Sequence, residues 1–256
     1  MTTTDPAAPP TQSYGATSRL PVAIFGAGGV GLDLGIELLG CSDKVVFLDD
    51  NIFVKDKVYE IGSLLVGGSE KLEDPKFLRR HDLIVAIGDN AKRRAIMTKA
   101  AAHAANLATF IHPDASVGLK IEMNDGILIM RGASVSNRVR LGRGVIINMN
   151  ATVPHDTILG DYVNICDGVT LGACQIGDDS FIGLGAVVNS GIAIGKNAFI
   201  GMGSVVVNDV PDNVVVFGNP ARIIKERPLN GHAHPDSEAA LPRTARPVVV
   251  PIGTGS

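Results

Sequence analysis

His155 and Asp156 are the pair in this chain best suited to move a proton, and they stand together in Val153-Pro-His-Asp-Thr-Ile-Leu-Gly160. A carboxylate beside an imidazole can hold the ring's orientation and stabilise the imidazolium formed when the ring accepts a proton. With a reference pKa near ~6.5, the imidazole is available as a base at neutral pH. Adjacent side chains on an extended segment point to opposite faces, so direct contact between the two requires a turn, and Pro154 is compatible with one. The same two residues would also serve as an ordinary exposed corner. Asn148 and Asn164 are read as corner positions near His155. Such amides could hydrogen-bond a substrate, and asparagine is also favoured at corners because it tolerates left-handed backbone. His112, in Ile111-His-Pro-Asp, reads as a capping residue, while His81 and His103 read as surface positions.

A glycine turn offers a second kind of chemistry. Val22-Ala-Ile-Phe-Gly-Ala-Gly-Gly-Val-Gly31 reads as a strand, a turn and a helix running to about Gly40. Gly26, Gly28 and Gly31 fit G-x-G-x-x-G, with an acid, Asp49, about 20 residues further on. The amides of such a turn can hold an anionic phosphate at the helix N-terminus. The unit around it is about 90 residues, roughly half of a full dinucleotide fold, which favours a nucleotide or nucleotide-sugar over NAD.

The elements that must position these residues fall into two kinds. In the first half, strands at Val45–Asp50 and Leu83–Gly88 and a helix across Asp89–Asn106 alternate, which implies a small parallel sheet with helices on its faces. In the second half an aliphatic residue or Met recurs at every sixth position from Ile111: Val117, Met123, Ile129 and so on to Leu171. After Leu171 one residue is missing, and the count resumes at Ile176 and continues to Val206. The residue after the aliphatic one is often glycine, as at Gly118, Gly142, Gly160, Gly172 and Gly177. Neither a helical nor an alternating period generates this lattice. A parallel β-helix does, with the aliphatic residue pointing inward and glycine permitting corner backbone angles. Four segments follow: a disordered tail at 1–19, an α/β domain at 20–108, a β-helix at 109–227 and a second disordered tail at 228–256.

Composition narrows the function. Of 256 residues, 45% are hydrophobic and 19% charged, enough apolar material for a core and too much for wholesale disorder. Glycine fills 30 positions, well above the usual ~7%, while aromatics are 4% with no Trp, which suits narrow repeated layers. A net charge of −3 gives no basic footprint for nucleic acid. No apolar run is long enough for a membrane span, and Met1–Leu20 does not read as a signal peptide. Cys41, Cys166 and Cys174 form no C-x-x-C and fit a reducing cytoplasm, and no H-x-x-x-H pair suggests zinc.

Taken in order, Gly26–Gly31, Phe47-Leu-Asp-Asp50, Ile87-Gly-Asp-Asn90 with Arg93, Gly126-Ile-Leu-Ile-Met130, Gly144-Val-Ile-Ile-Asn148, His155-Asp156 and Phe217-Gly-Asn-Pro-Ala-Arg222 form a specific set. The chain resembles, over about residues 21–227, the bacterial nucleotide-sugar N-acetyltransferases of the left-handed β-helix class, of the bacillosamine, perosamine and sialic-acid biosynthesis type. The resemblance implies a cytoplasmic homotrimer with acetyl-CoA as co-substrate, no metal, and active sites at subunit boundaries. It further implies His155 as general base with Asp156 as its partner. The nucleotide-sugar would be held by Gly26, Gly28, Gly29, Val30, Asp49, Asp50, Asn90, Arg93 and Asn148. Acetyl-CoA would lie along Asn164, Gly172, Ala173, Gly185, Gly203, Asn219 and Pro220, with a backbone amide near Gly172–Ala173 stabilising the oxyanion.

The chain departs from the family pattern at Val30 and Asn164, where relatives carry histidines, and in the residue missing between Leu171 and Ile176. The expected activity is acetylation of an amino group, the 4-amino position first, on a nucleotide-linked sugar. Acetylation of a sugar hydroxyl on the same scaffold, and a non-catalytic or metal-binding β-helix, are the alternatives.

Overall fold

The computed structural model describes residues 16–17, 20–39, 45–228 and 248–249. The tails expected to be disordered, 1–19 and 228–256, lie outside these residues apart from residue 228 and two dipeptides, Ala16–Thr17 and Val248–Val249, which pair in parallel. Cys41 and Gly40 also lie outside them.

The N-terminal unit is a five-stranded parallel sheet in the spatial order Leu64–Gly67, Val45–Leu48, Val22–Phe25, Asp82–Val85, Asn106–Leu107. Helix α1 (Gly29–Leu39) follows the glycine turn, α2 (Lys55–Glu60) and α3 (Pro75–Leu78) are short, and α4 (Asn90–Ala102) follows Val85. Asp89 starts α4 by accepting a hydrogen bond from the Lys92 N–H at 2.9 Å, an N-cap that satisfies one of the helix's orphan donors. Strand order reverses between Val22–Phe25 and Asp82–Val85, so the ligand crevice of this topology opens between the Gly26 turn and the Ala86–Asp89 loop.

The second unit is a left-handed parallel β-helix of two-residue strands on three faces. The first face runs through Phe110–Ile111, Leu128–Ile129, Ile146–Ile147 and Asn164–Ile165 and on to a terminal hairpin, Val214–Gly218 with Ala221–Glu226. The second face includes Ser134–Val135, Thr152–Val153 and Thr170–Leu171, and the third Arg140–Leu141, Ile158–Leu159 and Gln175–Ile176. The inward lattice residues are the core: Ile129, Ile147, Val153, Ile165, Ile182 and Ile200 are all 0% exposed. Partners sit 18 residues apart, as at Leu128↔Ile146, except across the missing residue, where Asn164 pairs with Phe181 and Ile158 with Gln175, and at the last coil, where Phe199 pairs with Val215.

One expectation is revised by the packing. The glycines that follow the inward residues do not have left-handed backbone; they are small because the next coil lies directly against them. A Cβ on Gly183 would stand 2.7 Å from both Ile200 O and Met202 N. The left-handed corner residues are a different set three positions after the inward residue, including Arg138, Asn150, Asp156 and Tyr162 as well as Gly144 and Gly185. The α/β unit and the β-helix share one core. Phe110, Leu128 and Ile146 point outward on the first face and are buried with Ile24, Leu34, Leu38 and Phe47 under the sheet and α1.

Candidate acyl-transfer site

The turn that His155 and Asp156 need for contact is present. Asp156 has φ of 60°, and its Oδ2 lies 2.8 Å from His155 Nδ1. Arg138, not foreseen from sequence, grips the same carboxylate with Nε donating to Oδ1 at 2.7 Å and Nη2 to Oδ2 at 2.8 Å. It occupies the same corner one coil earlier, 18 residues before Asp156, so the repeat period itself would have pointed to it. The Arg138 guanidinium, and after it His155, hold the Asp156 carboxyl well below the usual carboxylate range, while Asp156 pushes the Arg138 guanidinium up. An ionised carboxylate only accepts, so the proton of the neutral ring sits on Nδ1 and the lone pair on Nε2 is left for a substrate. The His155 side chain is 61% exposed at the corner between the second and third faces.

One coil further along the same corner lies the shortened turn Gly172–Cys174, three residues where the His155 corner has four. The Gly172 N–H is committed to Val188 O at 2.6 Å. Among the described residues the Ala173 N–H has no acceptor within the chain, so of the two expected amides only Ala173 is available to an oxyanion. Gly185 and Gly203, with Gly168, form an exposed left-handed edge between the first and second faces; a Cβ on any of the three would meet nothing within 4 Å. Asn219 and Pro220, joined by a cis peptide, are the exposed turn of the terminal hairpin.

In the α/β unit the N–H groups of Gly28, Gly29 and Val30 have no acceptor within the chain, among the described residues, and face the start of α1. Gly28 and Gly29 are exposed and Val30 half-buried. Gly26 lies buried with φ of 107° because Ala86 O leaves no room for a side chain. Asp49 braces this turn: Oδ2 accepts from Ala27 N at 2.7 Å and Oδ1 from Asn51 N at 2.8 Å. Asp50 Oδ1 takes the Ser69 N–H at 2.6 Å, linking the neighbouring loop.

Three further expectations are corrected by burial. Asn90 is 5% exposed, donates to Asp179 O and Ser180 O and accepts from Arg93, so it joins α4 to the β-helix and cannot touch a ligand. Arg93 is 0% exposed and its donors end on main-chain carbonyls and Asn90, so it too is removed from the substrate set. Asn148 and Asn164 do not approach His155 within the protomer. They lie on the first face, where Asn148 Nδ2 donates to Asn164 Oδ1 at 3.0 Å and Asn164 Nδ2 donates to Gly88 O at 2.8 Å. Asn164 thereby ties the β-helix to the Ile87–Gly88 loop of the α/β unit. His112, also buried, lies 3.2 Å from Glu37 of α1 through Nε2, which makes it a junction residue.

An imidazole held by a carboxylate at a β-helix corner, a free backbone amide one coil further on and a glycine turn in the α/β unit fit an acyltransferase. Residues 138–173 match the bacterial transferase hexapeptide family (six repeats), 175–207 the hexapeptide repeat of succinyl-transferase, and 21–100 the PglD N-terminal domain. The acetyltransferase domain of PglB from Neisseria gonorrhoeae is 36% identical with a TM-score of 0.71, covering 80% of this chain and 100% of that one. The same domain in complex with acetyl coenzyme A is 34% identical with a TM-score of 0.70, over 81% and 100%. PerB from Caulobacter crescentus, in complex with CoA and GDP-perosamine, is 32% identical with a TM-score of 0.73, over 82% and 100%. A search of curated proteins returned no match. The chain belongs to the bacterial nucleotide-sugar N-acetyltransferases of the left-handed β-helix class, enzymes that use acetyl-CoA.

Among the described residues no three His, Cys, Asp or Glu side chains converge as metal ligands, and no helix is long and apolar enough to cross a membrane.

Proposed function

We propose that this enzyme acetylates the amino group, at the 4-position, of a nucleotide-linked amino sugar, working as a cytoplasmic homotrimer. The observation that carries the reading is the His155–Asp156–Arg138 chain, which leaves one basic nitrogen facing outward. The sugar amine attacks the thioester carbonyl, forming the C–N bond. The Ala173 N–H meets the oxyanion, His155 Nε2 accepts the ammonium proton, and the C–S bond breaks to release CoA thiolate. Phosphates rest on Gly28, Gly29 and Val30, which directs the sugar across the crevice toward Gly88 and the Asn164–Asn148 pair.

The placement of the parts supports the trimer. His155 is on one edge of the second face; Asn148 and the glycine edge at Gly168, Gly185 and Gly203 are on the other. The face between carries Ser116, Ser134, Thr152, Thr170, Val187 and Val205 outward, without a charge. A second copy packed on this face brings its His155 to the first copy's crevice and glycine edge, and a threefold closes the arrangement. The test is CoA release with matched amino- and hydroxy-sugar nucleotides, on wild type and on His155→Ala. The variant is expected to stay trimeric and lose about 10²–10⁴-fold in turnover. Undiminished acetylation by it would reject the assigned base, and preference for the hydroxy-sugar would reject the amine.

A further inference from the structure

Resting on that reading, we propose that Arg93 is a positioning residue for the transfer, holding the nucleotide-sugar crevice at a fixed distance from the acyl-binding edge. On one side its guanidinium donates to the Ile87–Gly88 loop, Nη1 reaching Ile87 O at 2.7 Å and Gly88 O at 3.3 Å. On the other it donates to two successive coils of the β-helix, Nε to Gly144 O at 2.8 Å and Nη2 to Tyr162 O at 2.7 Å. Asn90 Oδ1 takes a further N–H at 3.0 Å. One planar group thus fixes four carbonyls drawn from segments 51 and 69 residues distant from it on the β-helix side.

The loop it holds is a wall of the crevice. Ala86 O closes on Gly26 of the phosphate turn, and Gly88 O also receives Asn164 from the first face. A shift of that loop therefore moves the sugar relative to the acyl group, and misplacement of reacting atoms by about 1 Å costs on the order of 10²-fold in rate. Stability alone is a poor account of the residue. No carboxylate forms an ion pair with this buried guanidinium among the described residues, and burial pulls it down to about 10. Taking such a charge out of water carries a desolvation cost that its hydrogen bonds to neutral carbonyls must offset. What an apolar side chain cannot reproduce is the rigid fork, nor can the single ammonium of lysine.

Steady-state kinetics of Arg93→Lys and Arg93→Met, normalised to folded trimer, test the proposal. Expected is a fall in kcat of about 10-fold for Lys and about 10²-fold for Met, with KM for acetyl-CoA and for the nucleotide-sugar within about threefold of wild type. A kcat per folded trimer within twofold of wild type in both variants would overturn it, as would a loss confined to KM. Should neither variant fold, Asn90→Ser removes one acceptor while leaving the guanidinium on its four carbonyls. Its kcat is then expected to fall about threefold, and an unchanged value overturns the role. Failure of the parent reading is separable: wild type itself would release no CoA with any nucleotide-linked amino sugar, which would overturn both.

Discussion

Replacing Asp156 by Asn should damage the reaction more than removing the side chain altogether. The reason lies in Arg138, a donor-only group that grips the carboxylate through Nε and Nη2. In Asp156→Asn the guanidinium demands the amide oxygen, so the NH2 must face His155 Nδ1. That nitrogen then has to accept, the ring proton moves to Nε2, and the nitrogen left for the amine is no longer basic. General-base catalysis is worth about 10²–10⁴-fold, and because the ring is 61% exposed it can partly escape by turning to water. A loss of about 10²-fold in kcat is therefore expected for Asp156→Asn, and about 10-fold for Asp156→Ala, where only orientation is lost. Adding Arg138→Ala to Asp156→Asn frees the amide to flip and should recover part of the rate. The assay is thiol release from acetyl-CoA under saturating substrates, across pH. The native Asp156 carboxyl lies well below the usual carboxylate range, so it stays ionised throughout and contributes no limb of its own to the profile. Equal losses in the Asn and Ala variants, or an Arg138→Ala change that worsens the Asn variant, would refute the assignment of tautomer.

Two further outcomes follow from packing. Gly183→Ala places a methyl group 2.7 Å from Ile200 O and Met202 N, and such overpacking costs about 1–3 kcal/mol. A drop of roughly 2–10 °C in Tm is expected by scanning calorimetry, and an unchanged Tm would show that the coils are not in backbone contact there. Burial pushes the Cys166 and Cys174 thiols up to about 12, so both stay protonated and unreactive at neutral pH. Mass-mapped iodoacetamide labelling should find them modified only after denaturation; rapid labelling in the native enzyme would contradict that.

The six-residue period determined a great deal without any structure, because stacking similar coils repeats the same inward positions on every side, and small residues, mostly aliphatic, fill them. It placed the core residues, the slip after Leu171 and the corner on which His155 and Asp156 stand. The glycine turn and its strand-helix setting were equally legible, since both depend on short-range backbone conformation. The short strands Leu64–Gly67 and Asn106–Leu107 were not, their apolar runs being too brief to show a period.

What only the tertiary structure decided is where each polar side chain spends its hydrogen bonds. Asp49, Asn90 and Arg93 carry the residue types of a ligand site, yet their partners lie within the chain, most of them far away along it. Arg138 is the exception, since the 18-residue coil length legible in the sequence already sets it beside Asp156. A local pattern records which conformations a segment tolerates, whereas the commitment of a donor or acceptor depends on groups brought together by folding alone. The placement of His155 and the glycine edge on opposite edges of one face is of the same kind: it exists only once the prism has closed.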